Sequence, residues 1–318
     1  ITQILNNMKI KHLLCFIALC LFFTPGKAQQ LSVMTLRNGA TVYIWEDKSK
    51  PDVFGMIAFK VGSVDDPEQY TGLAHYLEHV MFKGTQTIDA LDWEKEKPIY
   101  EKIIAKYDER AALSDPAARE AIDKEINDLT REAAQYAAGN EFSLLVDHMG
   151  GQGLNASTGY DQTEYHNSFP PSQLEKWLEI YSERLIDPVF RGFQTELEAV
   201  YEEYNMYNDD RGSRMREFIY EQAFGDHPYA RPIIGLPEHL KNPQLSKLID
   251  FYNTWYGPQN MSIILVGNID AKEAIPMIRD KFERVPRRAE IHREKKPVRQ
   301  FKGRTEKSAK IFYYPMLA

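Results

Sequence analysis

The sequence predicts an α+β fold, a mixed β-sheet with packed helices and one inserted helical hairpin. Three observations carry this. Asn38-Gly39, a strong hairpin turn, separates two short apolar runs. From residue 171 onward, apolar residues recur at helical spacing and are interrupted by one buried strand, Met261–Val266. Between them, residues 93–139 are dominated by charge and hold no glycine until Gly139.

In chain order, residues 33–36 and 41–46 read as the hairpin strands, and Val53–Val61 as a third. Gly72 precedes a helical run from Leu73 to Phe82, and Lys83-Gly84 suits its C-terminal end. Within 93–139, Ile99, Ile103, Ile104 and Tyr107 lie at helical spacing. Ser114-Asp115-Pro116 supplies a turn, with Pro116 suited to a first helical position. Ile122, Ile126, Leu129, Ala133 and Tyr136 then follow a 4-3-4-3 rhythm. This describes an antiparallel helical hairpin with an apolar seam, and its charged outer face reads as a solvated insertion. Leu154–Phe169 reads as strands, reached through Gly150-Gly151-Gln152-Gly153. Helices are expected at 171–186, 194–209, 213–224, 244–255 and 271–283. Residues 284–300, rich in Arg, Lys and Pro, read as a linker.

Of the 318 residues, 43% are hydrophobic and 27% charged, which argues against a disordered tail, a collagen or a multi-span membrane protein. Net charge is −7, from 39 Lys plus Arg against 46 Asp plus Glu, which argues against nucleic acid as a partner. Met8, Lys9 and Lys11 open a basic stretch, the apolar run Leu13–Phe23 follows, and Gly26 and Ala28 occupy the −3 and −1 positions of a small-residue cleavage site. Residues 1–28 therefore read as a signal peptide of bacterial type, too short in its apolar part to span a bilayer. The expected location is periplasmic or secreted. Both cysteines, Cys15 and Cys20, fall in that segment, so a mature chain would hold no disulfide. Leu19 before Cys20 is too bulky for a good lipoprotein signal.

The residues that carry chemistry are His75-Tyr76-Leu77-Glu78-His79. On a helix, positions i and i+4 share a face, so both imidazoles can reach one ion, with Glu78 on the same side. Two neutral imidazoles suit zinc, and an adjacent carboxylate can take a proton from zinc-bound water. The order H-x-x-E-H is the inverzincin signature. A catalytic zinc needs a third protein ligand. Glu196 and Glu203, seven apart, share a helical face beside the apolar stripe Leu197, Val200 and Tyr204. Burial favours Glu203 over Glu198 or Glu202, but spacing alone leaves an ordinary exposed acidic helix equally open.

The block from Thr71 to Thr85, TGLAHYLEHVMFKGT, resembles the motif of the pitrilysin family of zinc metallopeptidases, related to insulysin and the mitochondrial processing peptidase. Glu196, Val200 and Glu203 fit the family's later E-x-x-x-V-x-x-E pattern. The resemblance implies one Zn2+ per chain, with His75, His79 and Glu203 as ligands and Glu78 as general base. It makes Glu196 a second carboxylate that supports catalysis. Asn155, Ala156, Ser157 and Thr158 resemble the family strand beside the active site, where an extended, unfolded peptide would lie along a sheet edge. His227-Pro228-Tyr229 with Gly235, and Tyr256–Met261 leading into Val266-Gly267-Asn268, extend the likeness to about residues 31–285.

The gap of 124 residues from His79 to Glu203 is longer than is usual for the family, and the helical hairpin accounts for the excess. Family members place a later domain over the first. The implied layout is a zinc peptidase domain at 29–283, a linker at 284–300, and the start of a second domain at 301–318. The chain then reads as a bacterial member truncated at its C terminus, with the missing half, or a second peptidase-like subunit, supplied separately. The expected function is a zinc-dependent endopeptidase acting on unfolded peptides. The alternative is a non-catalytic assembly or binding subunit that needs a partner chain.

Overall fold

The computed structural model describes residues 30–291 together with 293, 297, 298, 300 and 306. The expected signal peptide lies outside the described residues, as does the segment 301–318 apart from Glu306.

One mixed sheet is built from β1 (Gln30–Thr35), β2 (Thr41–Glu46), β3 (Val53–Phe59), β4 (Gln152–Thr158), β5 (Thr163–Phe169) and β6 (Met261–Gly267). The strand order is β1-β2-β6-β3-β5-β4. β2 and β6 are parallel and the other pairs antiparallel. The β1–β2 turn forms where Asn38-Gly39 predicts it, with Gly39 at φ +100° and the Leu36 amide donating to the Ala40 carbonyl at 2.8 Å. Asn38 Nδ2 donates to the Phe282 and Val285 carbonyls at 2.7 and 3.1 Å, which ties this turn to the far end of the chain. In β2, β3 and β6, alternate residues are buried, among them Val42, Ile44, Ile57, Phe59, Ile263 and Leu265. The alternation follows from the period of two along a strand, with one face turned to the helices.

α1 (Leu73–Val80) is buried on almost every side and packs against β4 and β5. α2 (Trp93–Ala112) and α3 (Pro116–Ala133) form the helical hairpin. Ile99, Ile103 and Tyr107 meet Ile122 and Ile126 in its seam, and Lys106–Glu125 and Arg110–Asp123 pair across it at 2.7 and 2.5 Å. Asp115 caps α3 and Pro116 takes its first position.

α4 (Glu141–His148) departs from the sequence expectation, which left this stretch unassigned. Its only periodic signal is Phe142 and Val146, both fully buried one turn apart, and glycines on either side obscure it. β4 starts two residues early, at Gln152. A register shift between Gln152 and Asn155 absorbs Gly153, whose φ is +64°. α5 (Leu174–Glu183) follows a short turn at Pro171–Gln173. α6 (Phe193–Asp209) and α7 (Arg211–Phe224) are separated by Asp210, which caps α7. α8 (Pro237–Leu240), α9 (Leu245–Trp255) and α10 (Ala271–Phe282) complete the described helices. Beyond α10, Gln259 Nε2 donates to the Arg288 and Ala289 carbonyls, both at 2.9 Å, so this irregular stretch runs back along the domain.

The ends of α1 are held by buried polar side chains. The Asp66 carboxylate accepts from the Gly72 and Ala74 amides at 2.7 and 2.9 Å. At the other end, Arg184 Nη2 donates to the Met81 carbonyl at 2.9 Å, from among the rings of Phe82, Phe142, Tyr165 and Tyr181. Gly72 enters the helix at φ +91°, and a Cβ there would lie 2.5 Å from the Ile234 carbonyl oxygen, so only glycine fits this approach.

Burial pushes the Asp66 carboxyl up to about 7, against the amides of Ala74 and Gly72 and the charge of Arg231. The folded state thus holds a proton that the unfolded chain releases near the ordinary value of 3.8. Stability from this group is greatest in acid and declines as pH rises from about 4 to about 7, by up to ~1.4 kcal/mol per pH unit. Asp66→Asn should lower stability overall, since an amide nitrogen cannot accept from a helix amide. It should also flatten that decline relative to the unsubstituted chain, as read by urea midpoints across this range.

Candidate metal centre

α1 and α6 pack against each other, and the site lies where they meet. Tyr76 fixes their spacing, because its hydroxyl donates to the Phe193 carbonyl at the start of α6. Leu197 and Val200 turn the apolar stripe of α6 inward, and Glu196 and Glu203, on the adjoining face, are carried toward α1.

His75, His79 and Glu203 each offer a ligand atom, and these atoms all lie within 4.8 Å of one another. Glu203 Oε2 is 3.6 Å from His75 Nε2 and 3.5 Å from His79 Nε2. These separations are long for hydrogen bonds. They match the edge of roughly 3.3 Å expected between ligands of a tetrahedral ion with bonds of about 2.0–2.1 Å. His75 Nε2, the nitrogen that faces Glu203, makes no contact shorter than that 3.6 Å ion-pair separation, and its other nitrogen, Nδ1, is buried with no partner among the described residues. The donor set therefore fits a zinc ion.

Electrostatics point the same way. Burial and the neighbouring His79 push His75 down to about 4, so its imidazole is neutral and can donate a lone pair. Burial also disfavours charge on His79, but the carboxylates of Glu196 and Glu203 outweigh it and raise the ring to about 9. The potential that holds a proton on His79 is the potential that attracts a cation, which would displace that proton on binding. Glu203 is held below the ordinary carboxylate range, first by its contact with His79. Tyr207, one turn later, also hydrogen-bonds it.

Glu196 sits behind the His79 ring. Its Oε2 is 3.5 Å from His79 Nδ1, and its Oε1 pairs with Lys83 Nζ at 2.5 Å. It does not line the cavity, so it acts on the ring and not on a bound molecule. Lys83 is a partner that spacing did not reveal, although it lies one turn beyond His79. Glu78 projects to the other side, where Thr158 Oγ1 donates to its Oε2 at 2.5 Å. Burial raises the Glu78 carboxyl.

A cavity of about 290 Å³ opens beside His75, Glu78 and Glu203. Ala156, Ser157 and Thr158 line it, whereas Asn155, one residue earlier on β4, is not among its lining residues. β4 is the last strand of the sheet and pairs only with β5, so its outer edge has no strand partner among the described residues. Further lining comes from Tyr160 in the β4–β5 turn, from Arg216 and Tyr220 on α7 and from Arg231 in the loop after it, none of which the sequence motifs had marked.

A family model described as insulinase, peptidase family M16, matches residues 41–97 and 129–236. This chain belongs to the M16 family. The unmatched residues between the two M16 segments, 98–128, fall within the hairpin of α2 and α3 and its turn. A second model, described as the M16 inactive domain, matches residues 244–317. The probable zinc protease PqqL of Escherichia coli is 25% identical over 270 residues, covering 81% of this chain and 23% of the relative. The zinc protease PqqE of Helicobacter pylori is 24% identical over 254 residues, covering 79% and 46%. The chain thus spans less than half the length of these curated relatives. Among solved structures, pitrilysin superposes with a TM-score of 0.63 at 22% identity, covering 86% of this chain and 25% of that one. The periplasmic protease PqqL of Escherichia coli superposes at 0.64 with 24% identity, covering 85% and 26%. The mixed sheet with packed helices is therefore the M16 fold. No helix among the described residues is long and apolar enough to cross a membrane.

Substituting the two carboxylates separates their roles. Glu203→Gln should abolish stoichiometric zinc binding in a competitive chelator titration. Glu196→Gln should retain the ion with affinity reduced about 10–100-fold, as expected for a group that orients a ligand.

Proposed function

We propose that this chain carries the hydrolytic centre of a zinc-dependent endopeptidase acting on extended, unfolded peptides. The observation that supports it most is the convergence of His75, His79 and Glu203 beside Glu78 and the unpaired edge of β4. The reading assigns one zinc ion to His75, His79 and Glu203. Bound there, zinc supplies Lewis acidity, which acidifies water and polarises a carbonyl oxygen.

The remaining work falls to side chains. Glu78 takes a proton on its carboxylate and returns it to the leaving amine. Thr158 orients that carboxylate by donating to one of its oxygens. Glu196 and Lys83 hold the His79 ring in its ligand orientation. Ala156, Ser157 and Thr158 offer backbone groups to which a peptide adds as a further strand, so main-chain pairing supplies affinity and side-chain pockets supply preference. Edge addition requires an unfolded segment, because a folded substrate has no free strand to lend.

By this reading residues 29–283 form the zinc peptidase domain, 284–300 a linker and 301–318 the start of a further domain. A second half or a partner subunit would complete the chamber around the peptide. The coverage of relatives supports this, since the matched region makes up 81% and 79% of this chain but only 23% and 46% of the two relatives. A periplasmic or secreted location follows from the signal-like residues 1–28 and agrees with the periplasmic relative. The alternative is a non-catalytic assembly or binding subunit that needs a partner chain; the match of residues 244–317 to the inactive domain lies outside the segments that hold His75, Glu78, His79 and Glu203.

One variant decides between them. Glu78→Gln should keep stoichiometric zinc and lose hydrolysis of a quenched-fluorescent peptide library by at least about 100-fold, the usual scale of a general base. An unsubstituted, zinc-loaded chain that cleaves nothing would support the assembly role instead.

A further inference from the structure

The cavity beside the proposed metal centre has a second, cationic pole. Its acids are committed. Glu203 faces the two imidazoles, Glu78 accepts from Thr158, and Glu217 pairs with Arg214 at 2.7 Å. Arg216, exposed on α7, lines the cavity with no carboxylate within ion-pair distance among the described residues. Arg231, in the loop after α7, donates one Nη to the Asp66 backbone carbonyl at 3.3 Å. Its Nε is buried without a hydrogen-bond partner among the described residues. The nearby Asp66 carboxylate is already shared with the Gly72 and Ala74 amides. Tyr160 and Tyr220, stacked at 5.4 Å and 11°, line the same cavity, and Ile234 adds an apolar surface.

We propose that this pole binds a carboxylate of the peptide, gripped by Arg216 with Arg231 behind it, an assignment that rests on the site being a peptidase centre. A guanidinium presents a planar fork that matches a carboxylate, and the hydroxyls of the stacked tyrosines are additional donors. The aromatic and apolar walls suit the methylene stem of an acidic side chain. A lysine or arginine there would meet two like charges and be rejected. The carboxylate has two possible sources, an acidic side chain next to the scissile bond or the C-terminal carboxylate of a short peptide.

The test uses the full chain carrying Glu78→Gln, loaded with zinc, so that binding is read without turnover. Fluorescence anisotropy would compare amidated peptides that differ only by Glu or Gln at successive positions. A second arm would compare free and amidated C termini on the Gln peptide. The expected result is about tenfold tighter binding of the carboxylate form in one arm, the scale of a charge-assisted hydrogen bond. The arm that responds names the source. Adding Arg216→Glu should erase or invert the preference, Arg216→Lys should restore part of it, and raising salt should shrink it. Equal binding in both arms, no binding of any peptide, or a preference that survives Arg216→Glu would overturn the assignment. The unsubstituted chain would be assayed for cleavage of the same peptides. Selective binding without cleavage supports the cationic pole while removing the peptidase reading, so the two failures are distinct.

Discussion

Helix α1 is short, almost wholly buried, and clamped at each end by a buried polar side chain. The Asp66 carboxyl meets the amide end, and a guanidinium, Arg184, meets the carbonyl end. Eight residues form too short a helix to persist alone. The clamps, with the packing of Leu77 and Val80, hold His75, Glu78 and His79 in one orientation. Arg184 is held in an aromatic box, and burial lowers its pKa. The rings around it return part of the lost hydration through their π faces.

The second helix of the site depends on the first. Tyr76 reaches from α1 to the Phe193 carbonyl, and Arg191 pairs with Glu96 at 2.6 and 2.7 Å while donating to the Lys83 carbonyl at 3.2 Å. The end of α1, the base of the inserted hairpin and the approach to α6 are thereby joined. The insertion lengthens the chain between His79 and Glu203 without separating them in space. Its anchor at Glu96 lies beside the segment that delivers Glu203.

Charge is partitioned across the cavity. Carboxylates gather around the imidazoles, where they prepare a site for a cation, and arginines face them from α7 and the loop after it. An extended peptide on β4 would lie between these poles.

Much of this was legible in sequence because it depends on local chemistry. Helical periodicity placed His75, Glu78 and His79 on one face, Asn38-Gly39 located a turn, and the charged 93–139 stretch announced the paired helices. Spacing alone could not choose Glu203, because exposed acidic helices share its pattern, and it missed α4, whose signal is one pair of buried residues. The clamps at Asp66 and Arg184, the support of Glu196 by Lys83, and the pole at Arg216 come from contacts between segments far apart in the chain. The sequence by itself determined which residues could bind a metal, since a helix repeats every 3.6 residues regardless of its surroundings. Which carboxylate faces those imidazoles, and which cations face the cavity, only the tertiary structure decided. Such pairings depend on how separate segments pack, and no short-range pattern records that.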